Sequence, residues 1–489
     1  MLFNSHIFML LFLPLLLAGW YFLNWKKKFQ LAQGYLIGMS LWFYAYANLQ
    51  YLWLLLFSCL IGWLLSCLPE KIFSEKGKKV LTGVGCVFHL GLLGYFKYSN
   101  FFLENLNTVF HTDFPMLQIL LPVGISFYTF QQLAYLIDRC RGDAPRDSFF
   151  DYLTFMVYFP QLLQGPILLR SEFMGQLKEP ERRRFHAERF SEGIQFFVFG
   201  LAKKVLLADT LAKAVNYGYS NVSMLDSISA LLLAVGYLTE LYFDFSGYCD
   251  MAVGLGKMIG LEVAENFDAP FHSASVKEFW RRWHMTLGRF FTRYVYIPLG
   301  GNRKGKMRTL CNVMIVMLLS GLWHGAAWTF VLWGFLHGVG MIWDNLEHPH
   351  LPKKWMRQAA TFAYVCMTFV FFRAESIAQG FDVLKSIVSL KWNGFVFQMA
   401  SALDMTEFYM ITKALSMKLP GLLSWFWLGI FVVLIAICFR VLSGEKVSGV
   451  VALKRQKGYG RLYPVLLAVL FTWSIISMTG VSEYLYFSF

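Results

Sequence analysis

Apolar stretches long enough to cross a bilayer recur along the whole chain, and no other feature limits its folding so severely. As a helix, a run of roughly 17 to 25 mostly apolar residues spans a hydrocarbon core about 30 Å thick. A soluble core for 489 residues would not need so many such runs. Composition agrees: 57% of residues are hydrophobic and 15% charged, against about half and roughly a quarter in a soluble domain. The expected fold class is an all-α integral membrane protein of about 11 to 13 helices, some short or re-entrant. It reads as one polytopic domain over residues 1–489, with residues 346–489 as accessory C-terminal spans.

The first apolar run, residues 7–23, has no Lys or Arg before it, has Lys26, Lys27 and Lys28 after it, and shows no small-residue cleavage site. It therefore reads as a retained span and not as a removable signal. The net charge of +14 does not indicate nucleic acid, because the basic residues lie in short segments between apolar spans and not on one soluble face. Retention of Lys and Arg on the cytoplasmic side accounts for them. The eight cysteines are scattered singly, without a CxxC pair or histidines at ligand spacing, so neither structural disulfides nor a metal site is expected.

Loops should then alternate between rich and poor in basic residues. From Lys26–Lys28 inside, a span ends near Asn48 and the next returns to Lys71, Lys76, Lys78 and Lys79. Residues 80–103 lead out to Glu104 and Asp113, and residues 117–137 return to Arg139, Arg141 and Arg146. The runs 149–169 and 190–207 are interrupted by Pro160, Gly165, Pro166, Lys203 and Lys204. Broken helices are tolerated at membrane depth only inside protein or along a wet cavity, so this half is expected to be a packed core holding a pathway. The segment 303–308 is inside again, 309–323 crosses outward and 328–342 returns to Lys353, Lys354 and Arg357. Spans at 359–372, 422–439 and 463–478 leave both termini outside, with residues 378–417 on or near the outer surface. No internal repeat suggests a transporter's two halves.

Ionisable groups inside a membrane are costly, so each is a functional candidate. Asp244 and Asp250 lie in one aromatic span, where they either accept hydrogen bonds or pair with arginines, or line a site. Arg281, Arg282 and His284 lie within one helical turn between tryptophans. Guanidinium groups there suit the phosphates of a carrier thioester, and pairing with the aspartates is the plainer alternative. His324 ends an apolar span and His337 lies in the facing one, each flanked by glycine. Imidazole suits removal of a hydroxyl proton near neutral pH, although a single histidine in an apolar helix is more often a core residue.

Strings spread in order along the chain resemble one family. They include Gly94-Tyr95-Phe96-Lys97-Tyr98, residues 121–128, Gln164-Gly165-Pro166, residues 242–248, Glu265-Asn266-Phe267, residues 279–284, residues 296–305 and Leu322-Trp323-His324-Gly325-Ala326. The chain resembles the membrane-bound O-acyltransferases, alginate O-acetylase branch, most strongly over residues 1–345. The resemblance implies helices around a tunnel, with a thioester donor entering from the cytoplasm and a hydroxyl acceptor from outside.

The resemblance puts His324 and His284 in catalytic positions, with Trp323, Asn266, Asp244, Arg281, Arg282 and His337 as substrate or tunnel-lining candidates. Trp323, His284 or backbone N–H groups are the candidates to face the developing oxyanion. It further implies acetyl-CoA or another acyl thioester as donor substrate, no tightly bound cofactor, and a cell-surface polysaccharide or peptidoglycan as acceptor. The acceptor is reached directly or through an extracytoplasmic acetyltransferase, from the bacterial cytoplasmic membrane. D-alanyl transfer to teichoic acid and membrane transport are the alternatives. One departure stands out: residues 287–294 lack the acid that follows the aromatic pair in relatives, which leaves Arg293 without its expected local partner.

Overall fold

The computed structural model describes residues 1–67, 75–346, 352–442, 446–457, 460, 462–478 and 484–485, so Lys71 lies outside it. Every regular element among the described residues is helical. Six helices are long and apolar enough to cross a bilayer, namely Phe8–Trp25, Leu49–Cys67, Lys76–Phe110, Ser227–Met258, Lys306–His324 and Pro420–Val441. The protein is an all-α integral membrane protein. The remaining expected crossings fall on shorter, broken or more polar helices.

The helices that position the site are α1 (Glu75–Leu93), α2 (Ser99–Phe110), α3 (Ile125–Arg141), α4 (Ala187–Ala202), α5 (Asp209–Ser220) and α6 (Ser227–Met258). After them come α7 (Val276–Arg282), α8 (Met285–Phe291), α9 (Lys306–His324), α10 (Trp328–Asn345), α11 (Lys354–Arg373) and α12 (Pro420–Leu442). One widened π turn, Gly94–Tyr98, joins α1 to α2, and another, Lys203–Ala208, joins α4 to α5. Such turns re-aim side chains without ending the helix, and here the first carries Lys97 and the second Lys203 and Lys204. The segment 378–417 folds as Ile377–Val388, Phe395–Ser401 and Tyr409–Lys418, the first two burying Val383, Phe395 and Met399 against the body.

Two expected runs break where the backbone chemistry requires it. Residues 117–122 are irregular, only partly exposed, and followed by a turn at Val123 and Gly124, so the run expected over 117–137 is helical only from Ile125. Pro122 disfavours helix at the residue before it, and Gly124 holds φ +78°, a left-handed conformation open to glycine, as the first residue outside α3. The run 149–169 likewise stops at Val157, makes one turn over Phe159–Leu162 and continues as buried extended chain past Gly165 and Pro166.

The centre is an antiparallel pair, α4 against α6, closed by four glycines. A methyl carbon on Gly193 would lie 2.7 Å from the Gly254 carbonyl oxygen, and one on Gly200 would lie 2.5 Å from that of Gly247. Within lipid there is no hydrophobic drive between helices, so backbone proximity through small residues supplies the packing. The hairpin α9–α10 is closed the same way, since any side chain on Gly321 would strike the Phe330 carbonyl and the Gly334 Cα. These two pairs fix the helix ends that carry the site.

Candidate active site

Helix α9 ends at His324, and Gly325 turns extended at φ −158°. The last carbonyls of any helix lack intrahelical donors and must be satisfied some other way. Here the π turn at Gly94–Tyr98 supplies them. Lys97 Nζ donates to the carbonyl oxygens of Trp323 (2.6 Å) and His324 (2.9 Å), and the Tyr98 hydroxyl donates to that of Leu322 (2.5 Å). A cation is also the charge favoured at a helix C-terminus. The imidazole of His324 is 4% exposed and is boxed by aromatic rings: Trp323 at 4.9 Å, Trp333 at 5.2 Å and Phe372 at 5.2 Å between centroids. The fourth neighbour is His284, at 6.5 Å.

His284 sits at a break of its own. Arg281 and Arg282 end α7, Trp283 is extended, and His284 turns left-handed at φ +46°, ψ +51° before α8 begins. A side chain in that region costs about 1–2 kcal/mol, and such outliers persist where the surroundings over-determine them. Asn266 does so. Its backbone carbonyl accepts from Met285 N (3.0 Å), and its side-chain oxygen lies 3.2 Å from His284 Nδ1, 3.1 Å from Thr286 N and 3.0 Å from Thr286 Oγ1. A carboxamide oxygen only accepts, so His284 carries its proton on Nδ1 and presents the lone pair of Nε2. In this tautomer Nε2 cannot donate to an oxyanion, which leaves Trp323 and backbone N–H groups among the three donors considered from sequence.

His337 has a different place. Trp280 Nε1 donates to its Nδ1 (3.2 Å), and its Nε2 lies 3.0 Å from Thr368 Oγ1, whose own proton goes to the Val365 carbonyl. Nε2–H therefore donates to Thr368 and both ring nitrogens are engaged. The ring ties α7, α10 and α11 together, 4.8 Å from Trp333 and one aromatic layer from His324.

The aspartates are paired, with lysines and not with arginines. Lys204 Nζ bridges Asp244 (2.6 Å) and Asp209 (2.8 Å), and Lys203 Nζ pairs with Asp250 (2.6 Å). Arg282 instead binds Glu278 (2.9 Å), and exposed Arg281 lines a surface cavity with Lys277, Glu278 and Arg282. Neither arginine reaches the histidine pair. Arg293 finds the acid its own segment lacks on the other side of the fold, in Asp138 (2.9 Å) and Asp143 (2.8 Å). Lys97, Thr286, Lys203 and Lys204 are the residues to which sequence reasoning assigned no role. For Lys97 the signal was present, a lone ammonium inside an apolar run, where charge is expensive.

Two spaces lie beside residues of this group. His324 and Trp323 line a cavity of about 50 Å³ with Lys97 and residues 121–127. Asn266 lines a mostly apolar cleft of about 630 Å³ between α4, α6 and α12, with the Lys203–Asp250 pair in its wall. Among the described residues no group of His, Cys, Asp and Glu could hold a metal, and the eight cysteines are unpaired thiols. An acid–base site with two adjacent imidazoles, one lining a small cavity and the other held by the Asn266 that lines a large cleft, suits transfer of a group between two substrates.

Comparison with known proteins gives the same reading. The sequence profile of the membrane-bound O-acyltransferase family matches residues 141–380. The peptidoglycan O-acetyltransferase of Helicobacter pylori is 35% identical over 80% of this chain and 80% of its own. The probable alginate O-acetylase AlgI of Azotobacter vinelandii is 39% identical over 77% of this chain and 76% of its own. The teichoic acid D-alanyltransferase of Bacillus subtilis is 28% identical over 52% of this chain and 69% of its own. Identity of this extent over four-fifths of both chains places the protein in the membrane-bound O-acyltransferase family.

Proposed function

We propose that this acyltransferase takes an acetyl group from a cytoplasmic thioester, acetyl-CoA, and passes it to a hydroxyl of a cell-surface glycan on the far side of the bacterial cytoplasmic membrane. The observation that carries the reading is the pair of buried imzidazoles at two helix breaks, with His324 on a small cavity and the Asn266 that orients His284 on a large cleft. The small cavity, about 50 Å³, suits an acetyl group and not a long acyl chain. Sidedness follows from Arg303, Lys304, Lys306 and Arg308 at the start of α9, which retention of basic loops puts in the cytoplasm, with His324 at the opposite end. Lys277, Arg281 and Arg282 gather at the same end as that basic loop, since Lys277 bonds Asp344 and Asn345 at the end of α10. They are suited to the donor's phosphates.

In this mechanism a ring nitrogen of His324 takes the proton from the acceptor hydroxyl while its oxygen attacks the thioester carbonyl carbon. The tetrahedral intermediate collapses with cleavage of the C–S bond, and the imidazolium returns the proton to the departing sulfur, so that an ester and a thiol are formed. The Lys97 ammonium, held on the same helix end and lining the same cavity, adds positive potential where negative charge develops. His284, with its Nε2 lone pair, accepts a hydrogen bond and so orients either the hydroxyl or the protonated partner ring. Delivery to the glycan is direct or through an extracytoplasmic acetyltransferase, as the names of the acetylating relatives suggest for the polymer.

The test is transfer from labelled acetyl-CoA by protein in nanodiscs. His324→Ala is expected to abolish it with the amount of membrane protein unchanged, and full activity in that variant would refute the assignment. Offering D-alanyl carrier protein beside acetyl-CoA separates acetyl from D-alanyl transfer, and solute flux without acyl transfer in proteoliposomes would decide for a transporter.

A further inference from the structure

A third cavity, of about 550 Å³, lies between α5, α6, α10 and α11, and nothing in the mechanism above uses it. It opens at the end of the molecule that carries the start of α10 and the end of α11, opposite the basic loop at 303–308. Two cations, Lys204 and Arg373, and four carboxylates, Asp209, Glu240, Asp244 and Glu375, line it. Lys204 is already spent on Asp209 and Asp244, and Arg373 Nη2 donates to Asn216 Oδ1 at 3.0 Å. Glu240 is 2% exposed, and its Oε2 has no hydrogen-bond partner among the described residues. A buried carboxyl oxygen without a donor is expensive, so a carboxyl group beneath the wall of a cavity calls for a ligand that brings the donor as the side chain turns to meet it.

Phe372 and Phe330 also line this cavity, and the Phe372 ring lies 5.2 Å from that of His324. One aromatic layer therefore separates the cavity from the imidazole. We propose that the cavity is the acceptor subsite, and that it takes a neutral polyhydroxylated glycan and rejects a polyuronate. Hydroxyl groups supply the donors that the Glu240 oxygen lacks. A uronate on every ring would meet walls that carry more acidic side chains than cations, with both cations already engaged by the protein, at depths where charges are weakly screened. Movement of the Phe372 ring would bring a bound hydroxyl to His324. The inference rests on the acyl-transfer reading for the chemistry, although binding can be measured without it.

The probes are chitotetraose, a neutral β-1,4-linked N-acetylglucosamine tetramer, and a mannuronate tetramer of the same length, titrated into the full chain in nanodiscs. Wild-type protein is expected to bind chitotetraose saturably and the mannuronate tetramer at least tenfold more weakly. Glu240→Gln should weaken chitotetraose at least tenfold. Should that variant fail to fold, Asn216→Ala at the exposed rim is expected to weaken it several-fold. His324→Ala should still bind the tetramer while losing acetyl transfer. Absence of saturable binding, equal or tighter binding of the mannuronate tetramer, or unchanged affinity in the folded variants overturns the subsite. Intact transfer in His324→Ala overturns the catalytic reading instead.

Discussion

Removing the Asn266 side chain tests whether the left-handed turn at His284 is held for chemistry. Asn266→Ala strips the acceptor from His284 Nδ1–H and from Thr286 N–H, both buried; the Thr286 hydroxyl can rotate away. Each buried donor left without a partner costs about 1–3 kcal/mol, so the loss is about 2–6 kcal/mol. It is felt where the chain is already strained, because His284 holds φ +46° at a cost of about 1–2 kcal/mol. The cheapest relief is local: the 283–285 backbone relaxes and the imidazole swings out of place. At 1.36 kcal/mol per decade, about 2.7 kcal/mol of misplacement lowers transfer about a hundredfold. The assay is acetyl transfer from labelled acetyl-CoA in nanodiscs, beside ¹⁵N shifts of the His284 ring, which should lose the Nδ1-protonated signature. Two further variants separate ring from backbone. His284→Gly accepts the left-handed turn without strain and should melt above His284→Ala by the equivalent of about 1 kcal/mol, yet both should be inactive. Transfer by folded Asn266→Ala within threefold of wild type, or activity in His284→Gly, would refute the reasoning.

Other expectations follow from single contacts. Lys97→Met removes the donors to the Trp323 and His324 carbonyls; charge-assisted bonds are worth about 1.5–3 kcal/mol each, so transfer should fall at least tenfold and amide exchange at Gly325 and Ala326 should quicken by mass spectrometry. Gly247→Ala puts a methyl carbon 2.7 Å from the Gly200 carbonyl oxygen and 3.1 Å from Lys204 N, which should cost about 1–3 kcal/mol in thermal unfolding and disturb the lysine turn. Gly91→Ala, with nothing within 4 Å of the added carbon, should be neutral or stabilising by up to about 1 kcal/mol in the same measurement. Equal midpoints for the two glycine variants would contradict the packing account.

Periodicity and apolar length made the helices legible, because those signals are local. The irregular stretch before Ile125 was written in Pro122 and Gly124 but masked by its apolar composition. His324 stood out as the polar end of an apolar span next to glycine. Its support did not, because Lys97 comes from 227 residues away, just as Asp138, the partner of Arg293, comes from 155. No pattern within one segment reports such a partner. The acid expected beside Arg293 shows the limit in reverse, since the ion pair was kept while its carboxylate moved to another helix. Lysines in place of arginines beside Asp244 and Asp250 were likewise beyond reach, because the π turn that aims Lys203 and Lys204 at α6 leaves no mark in hydropathy.

The two histidines share a construction that explains why so many polar groups surround them. A side chain in the middle of a regular helix presents only itself, whereas one at a helix break also brings open backbone and room for a substrate. At membrane depth that break exposes unsatisfied carbonyls or N–H groups, each of which would cost kilocalories in a dry interior. Every break here is therefore matched by a dedicated group: Lys97 and Tyr98 for the end of α9, and Asn266 for the start of α8. The string Gly94-Tyr95-Phe96-Lys97-Tyr98 and the string Glu265-Asn266-Phe267 are thus the supports that allow His324 and His284 to stand where helices stop. If that is their role, substitutions in either string should alter the position of the histidines before they alter the stability of the bundle. A variant such as Tyr98→Phe would then lose transfer at a temperature where its melting curve still overlays that of the wild type.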